Sequence, residues 1–328
     1  MAFTTDLTID ESTVEEQEVV TFLPVIRWMY GNSELADNDV KTVKARGGFF
    51  ISESTIPGNE DEKGEYISAL LENGWSKLSY KAKNGETVDG FAAEDAQLAI
   101  LHKPRKCWES YDDDGNRTGR YPFNWDVYNA EKDKHPKMST RVQLLVVIKG
   151  LENLSPALVT LSGTAQFSFS GIKKERGIIQ DYSDFLRTIE RQIGARLPLR
   201  RFWVHFCAER DKKGEPVFKS VGSGTNSTLL CTMSSKLPNM VTATDKEVVK
   251  YRDTYAVEGK DEDGRHLVTG RFLDLWREYE QWPSEWDSMD GAALKQIFED
   301  ETSDNSDGGA TNIANPNETS DLIAEAGI

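Results

Sequence analysis

The chain has 328 residues, with 55 acids against 39 Lys and Arg for a formal net charge of -16. That length exceeds a usual single core of about 100 to 200 residues, so one large or two medium modules are expected. No apolar run approaches the roughly 18 residues of a membrane helix, and three widely spaced cysteines without a CxxC exclude a disulfide framework and point to reduced thiols.

Residues 1–18 are acidic and poor in aromatics, which predicts a disordered arm. They have neither the basic nor the apolar region of a secretory signal, so a cytoplasmic location is expected. A first β-rich module is expected over 19–128. It opens on Val19 to Tyr30, whose Pro24 suggests an edge strand or bulge, and continues through Gly48-Phe49-Phe50-Ile51. Residues 52–64 read as a polar loop, 65–71 as a turn or two of helix, and Phe91 to Leu101 as extended chain. Asp112-Asp113-Asp114-Gly115-Asn116 is a hairpin turn signal.

Residues 129–140, charged and carrying Pro136, read as a linker. A second β-rich module is expected over 141–282. Arg141 to Lys149 has the unbroken apolar centre of a strand buried on both faces. Leu158 to Leu161 follows as a strand, and Ala165 to Phe169 alternates apolar with polar residues, the period of a half-buried strand. Apolar residues at helical spacing predict an amphipathic helix over 181–194, stopped by Gly194. Strands return at Arg201 to Ala208, Val217 to Val221 and Leu229 to Met233. A hairpin is expected over 255–268 and a Trp-bearing helix from Phe272 to Gln281. A short helix within 283–298 precedes a disordered acidic tail, 299–328, which has eight acids and no base. Residues 1–20 hold six more acids and again no base, so removing both ends leaves 41 acids against 39 bases in the body. The fold class expected is mainly β with α+β character: antiparallel OB-like barrel or sheet modules with an inserted amphipathic helix.

Motifs for specific chemistry are missing from the sequence. The four histidines stand alone, with no metal-ligand spacing to one another or to cysteine, so no metal site is expected. The Asp-rich turns lack the acids that a calcium loop needs at both ends. The small polar segment Val221 to Ser227 lacks the Gly-Lys-Ser/Thr of a phosphate loop, and no nucleophile elbow or dinucleotide fingerprint occurs. No cofactor and no enzymatic activity are therefore expected, with His205 the first suspect if a reaction is hidden.

What remains is basic and aromatic. Residues 165–213 carry eleven bases against six acids, with Arg187 and Arg191 one helical turn apart and Arg200-Arg201-Phe202-Trp203 at a strand entry. A second cluster is Lys103-Pro104-Arg105-Lys106-Cys107-Trp108. Single-stranded nucleic acid is held by this combination, cations tracking phosphates and rings stacking bases. The candidate interface is Lys103, Arg105, Lys106, Arg187, Arg191, Arg200 and Arg201 on phosphates, with Trp108 and Trp203 stacking.

With an inserted helix, these clusters and a base-free acidic tail, the layout of residues 140–328 resembles acidic-tailed single-stranded DNA-binding proteins of bacteria and phages. The resemblance implies an OB fold, sequence-tolerant binding of single-stranded DNA in replication or recombination, a tail that competes with DNA, and a protein partner recruited by the tail. This chain departs from that pattern in ending Asp321-Leu322-Ile323-Ala324-Glu325-Ala326-Gly327-Ile328, without a dense final acidic run or a terminal Phe. The alternative expectation is a non-enzymatic adaptor or assembly protein that binds a protein partner.

Overall fold

The computed structural model describes residues 23–29, 34–35, 47–81, 87–113, 117–135, 137–171, 176–214, 216–221, 228–257, 264, 267, 270–280 and 282. Strands β1 (Val25–Met29), β2 (Glu34–Leu35) and β3 (Gly48–Ser52) precede helix α1 (Glu60–Glu72). Then come β4 (Ser76–Lys81), β5 (Thr87–Ala93), β6 (Asp95–Ile100), β7 (Arg105–Tyr111), β8 (Arg117–Pro122), α2 (Trp125–Glu131), β9 (Lys137–Ile148) and β10 (Ala157–Leu161). Helices α3 (Gly163–Ser170) and α4 (Ile178–Ile193) and a 3-10 turn at Leu199–Arg201 lead to β11 (Val204–Ala208), β12 (Phe218–Val221), β13 (Thr228–Cys231) and β14 (Met233–Ser235). Helices α5 (Asp245–Tyr255) and α6 (Arg271–Glu278) follow.

Twelve of these strands form one sheet in the order β14-β11-β6-β9-β10-β1-β3-β5-β4-β2, with β7 and β8 branching from β9. Every pairing is antiparallel except β1 with β10. The branch arises because β9 is 12 residues long and shares one edge between two partners. Its C-terminal half pairs with β6, Leu98 opposite Ile148, and its N-terminal half with β7, Arg105 opposite Gln143. The wing made by β7 and β8 therefore leaves the main path of the sheet at residues 101–104.

Side-chain alternation along β9 divides the core. Val142, Leu144, Val146 and Ile148 meet residues of α1, α3, α4 and α5, among them Leu70, Phe169, Phe185 and Tyr251. Leu145 and Val147 point to the other face, where Phe272 and Leu275 of α6 and then Trp282 pack with Ala99, Leu101 and Trp203. Each such side chain contributes about 1.5–3 kcal/mol by leaving water. Helix α4 buries Tyr182, Phe185, Leu186 and Ile189 along one stripe. It stops at Gly194, whose left-handed φ of 71° suits glycine and whose N–H donates to the Glu190 carbonyl at 2.8 Å.

The result is a mixed α+β protein with a large, mostly antiparallel, open sheet rather than a closed barrel. Several expectations are corrected. Residues 129–140 do not link two modules: they hold the end of α2 and the start of β9, and β1–β10, β6–β9 and β6–β11 pairings join both halves in one sheet. Pro24 does not mark an edge, since β1 begins after it between β3 and β10, and its carbonyl accepts from Leu158 N at 2.8 Å. Ala165 to Phe169 is helix α3, with Ala165, Gln166 and Phe169 buried at i, i+1 and i+4. Gln166 Oε1 accepts from Thr140 Oγ1 of β9 at 2.6 Å, which fixes that face toward the sheet. Helix α1 starts at Glu60 because Asn59 and Glu62 form a reciprocal capping box. The acidic arm, the helix expected within 283–298, the tail 299–328 and most of the hairpin expected at 255–268 lie outside the described residues.

Candidate nucleic-acid interface

The wing carries the aromatic surface. Along β7, Arg105, Cys107, Glu109 and Tyr111 share one face, and Lys106, Trp108 and Ser110 the other, as their opposition to Gln143, Arg141 and Ser139 or to Val142, Thr140 and Met138 requires. On the second face, Asn124 starts α2 directly after β8, its Oδ1 accepting from Asp126 N at 2.7 Å. That start brings three rings onto Trp108. Phe123 stacks on it nearly parallel (centroids 5.1 Å apart, planes at 19°), Tyr128 lies at 4.5 Å and Trp125 at 5.6 Å. Trp108 is thereby buried to 2 % exposure, while Phe123 and Trp125 remain 38 % and 39 % exposed. Cations flank them: Lys106 Nζ sits 5.4 Å over the Phe123 ring and Lys132 Nζ 5.9 Å over that of Tyr128. Lys106 is an exposed residue whose ammonium end lies against this cluster, and desolvation there lowers its pKa. At the far end of α2, His135 Nε2 bonds Tyr121 Oη at 2.9 Å.

On the reverse side of the wing the chemistry is buried and internal. Arg141 Nε lies 2.9 Å from Glu109 Oε2, and the Tyr111 hydroxyl accepts from Arg141 and donates to the same carboxylate. Beside this network the Arg105 guanidinium covers the Trp282 ring at 3.4 Å and donates to Gln143 Oε1 at 2.8 Å. Next to it His102 stacks on Trp276 (5.6 Å, 17°), its Nε2–H donating to the Trp276 carbonyl at 2.9 Å, and the Arg200 guanidinium lies 5.2 Å from that ring. Burial lowers the pKa of both His102 and Arg200.

The expected site residues therefore do not share one groove. Lys103 and Lys106 are exposed at the root of the wing. Arg105 and Arg200 both lie on the α6 side of the sheet, Arg105 against Trp282 and Arg200 against Trp276. Arg201 is half-buried and donates to the Val257 carbonyl at 2.7 Å. Arg187 and Arg191 are exposed on α4, which packs on the opposite face from α6, and Arg187 pairs with Asp184 at 2.9 Å. Trp108 and Trp203 are corrected from exposed stacking residues to core residues. Trp203, 3 % exposed and directly before β11, packs edge-on against Phe272 in the α6 core. The residues missed were Phe123, Trp125 and Lys132. Their signal was present in Phe123-Asn124-Trp125-Asp126-Val127-Tyr128, which crowds three rings after a hairpin.

His205, the suspect for hidden catalysis, is buried between Asp95 and Tyr255. Its Nε2 lies 3.1 Å from Asp95 Oδ2, and its Nδ1 is 3.1 Å from Tyr255 Oη. Of the two contacts only that with Tyr255 has hydrogen-bond geometry; Nε2 is buried near the carboxylate without an aligned bond. The role of His205 is to tie α5 to the sheet. Among the described residues no group of three or more His, Cys, Asp or Glu is placed to hold a metal, and no helix is long and apolar enough to cross a membrane. None of the three cysteines is in a disulfide, and all three are buried. No family model, no curated protein and no solved structure matches the chain.

Proposed function

We propose that this protein binds single-stranded nucleic acid, with tolerance for sequence, through the wing built from β7, β8 and α2. One observation carries the reading: two half-exposed rings, Phe123 and Trp125, stand on a buried tryptophan in a cluster where Lys106 lies over Phe123 and Lys132 over Tyr128. Bases stack on such rings with about 1–3 kcal/mol each, and neighbouring cations follow the phosphates. Lys103 extends the cationic side of the strand path along the root of the wing. The acidic tail, 299–328, regulates access by competing for the same cations, as the layout shared with acidic-tailed single-stranded DNA-binding proteins suggests.

The test is a titration of the full chain with oligo(dT), followed by intrinsic Trp emission. The expected result is quenching that is reversed by salt, with affinity about 5- to 100-fold lower in Trp125→Ala, the loss of one stacked base. Quenching that is absent, or identical in Trp125→Ala, sinks the proposal.

A further inference from the structure

We infer that Phe123 is a lid standing in for a nucleobase, and that Trp108 beneath it is a concealed stacking platform. The inference rests on reading the wing as a single-stranded nucleic-acid surface and changes it at one ring: a base stacks on Trp108 in place of Phe123, not on Phe123 itself, while Trp125 keeps its stacking role.

Two independent features lead to it. The first is the stack itself. Phe123 lies nearly parallel to Trp108, at 19° and 5.1 Å between centroids, in the geometry a bound base adopts on an indole, and it is 38 % exposed. Tyr128 is carried by α2, whereas Phe123 sits at the joint between the end of β8 at Pro122 and the helix cap Asn124. Phe123 is thus in neither a helix nor a strand. The second feature is an orphaned donor. Trp108 Nε1 is fully buried and makes no hydrogen bond, although the residue is only 2 % exposed. Buried indole N–H groups normally find an acceptor, and one without a partner marks a place where an acceptor fits.

A nucleotide meets both conditions where phenylalanine meets one. Its base replaces the Phe123 ring in the stack. The indole N–H lies in the ring plane, so the atom accepting from it is not on the stacked base but at the ring edge, a phosphate or sugar oxygen of that nucleotide. Lys106, whose ammonium lies over Phe123, is placed to meet the same phosphate. The flanking cations disfavour a cationic ligand, so the class is an anionic ligand with a planar ring.

A lid and an exposed stacking ring at Phe123 make opposite predictions. If Phe123 must move aside, free protein is held back by the closed fraction, and deleting the ring removes that handicap. Full-length wild type, Phe123→Ala and Trp125→Ala are titrated with oligo(dT) and with an abasic strand of equal length. The Trp108 indole N–H resonance is followed by NMR, assigned by its loss in Trp108→Phe. The expected result is a severalfold gain in oligo(dT) affinity in Phe123→Ala, a loss in Trp125→Ala, and a downfield shift of the Trp108 indole proton with oligo(dT) that the abasic strand does not produce. Weakening in Phe123→Ala equal to that in Trp125→Ala, with an unmoved Trp108 resonance, overturns the lid and leaves the wing as a simple exposed surface. Failure of wild type to bind oligo(dT) at all overturns the reading of the wing and the lid with it.

Discussion

Glu109 and Arg141 are diagonal neighbours on one face of β7 and β9 with side chains 5% and 9% exposed, so neither charge can be left alone cheaply. Breaking a buried pair by removing one partner costs about 3–5 kcal/mol, because the survivor is stranded out of water. Glu109→Gln is therefore expected to destabilise the protein by that amount in urea unfolding, and Tyr111→Phe by about 1–2 kcal/mol, since it removes only the hydroxyl between them. The histidines set a different dependence. His102 and His205 both have pKa values lowered from the ordinary 6.5, chiefly by desolvation, with the Trp276 carbonyl and Asp95 respectively opposing it. An unfolded chain takes up protons near pH 6.5 that these buried rings refuse until lower pH. Stability is thus full above about pH 6.5 and is lost as pH falls through the lowered folded values. The urea midpoint should drop between pH 7.5 and 5.5, and the drop should shrink in a His102→Gln/His205→Gln double variant, whose side chains do not titrate.

At the scale of elements, α6 has only eight residues, too few to hold a helix alone in water. Its helicity depends on Phe272, Leu275 and Trp282 docking on Leu101, Leu145, Val147 and Trp203. Phe272→Ala, at a position with no exposure, is expected to release this segment before it unfolds the sheet. Hydrogen exchange should speed up over 271–282 while β9 keeps its protection; equal loss in both would mean that the two cores unfold together. The same dependence explains what could be read beforehand. β9 and α4 were legible because a long apolar run and a clean apolar stripe each have one structural solution. Helix α3 was not, because Phe167-Ser168-Phe169-Ser170 alternates like a strand over a window too short to show that Ala165 and Phe169 share a helical face. Helix α5 was missed because it buries only Val248 and Tyr251. At the site, the bases of the Lys103–Lys106 cluster were found but the rings were assigned by proximity in sequence. Alternation along β7 and the α6 core, both tertiary facts, turned Trp108 and Trp203 inward and left Phe123 and Trp125 outside.

For the whole molecule, the wing is not basic by count, with five bases against six acids over residues 105–132, so its cations act through their placement beside the rings. Away from it some body cations are matched: Arg176 pairs with Asp181 and Asp184, Arg187 with Asp184, and Arg210 with Glu94. Lys106 and Lys132 lie over rings of the wing, and Lys103 is exposed at its root. If these three neutralise three phosphates, log affinity for oligo(dT) should fall with log salt at a slope of about -2, the single-strand value of roughly -0.7 per phosphate. The acidic segment is tethered close by. Trp282 is packed on Arg105, one residue from Lys106, and the eight acids begin at Glu299, seventeen residues later, within a contour reach on the order of 55 Å. Competition from that segment is electrostatic and weakens as salt shortens the screening length to about 8 Å at 0.15 M. Deleting 299–328 is therefore expected to tighten oligo(dT) binding most at low salt and to steepen the salt slope, because the tail no longer holds the cations that the strand must win. Equal affinities at every salt concentration would mean that the tail does not meet the wing, and that its charge bears only on the net charge of the chain.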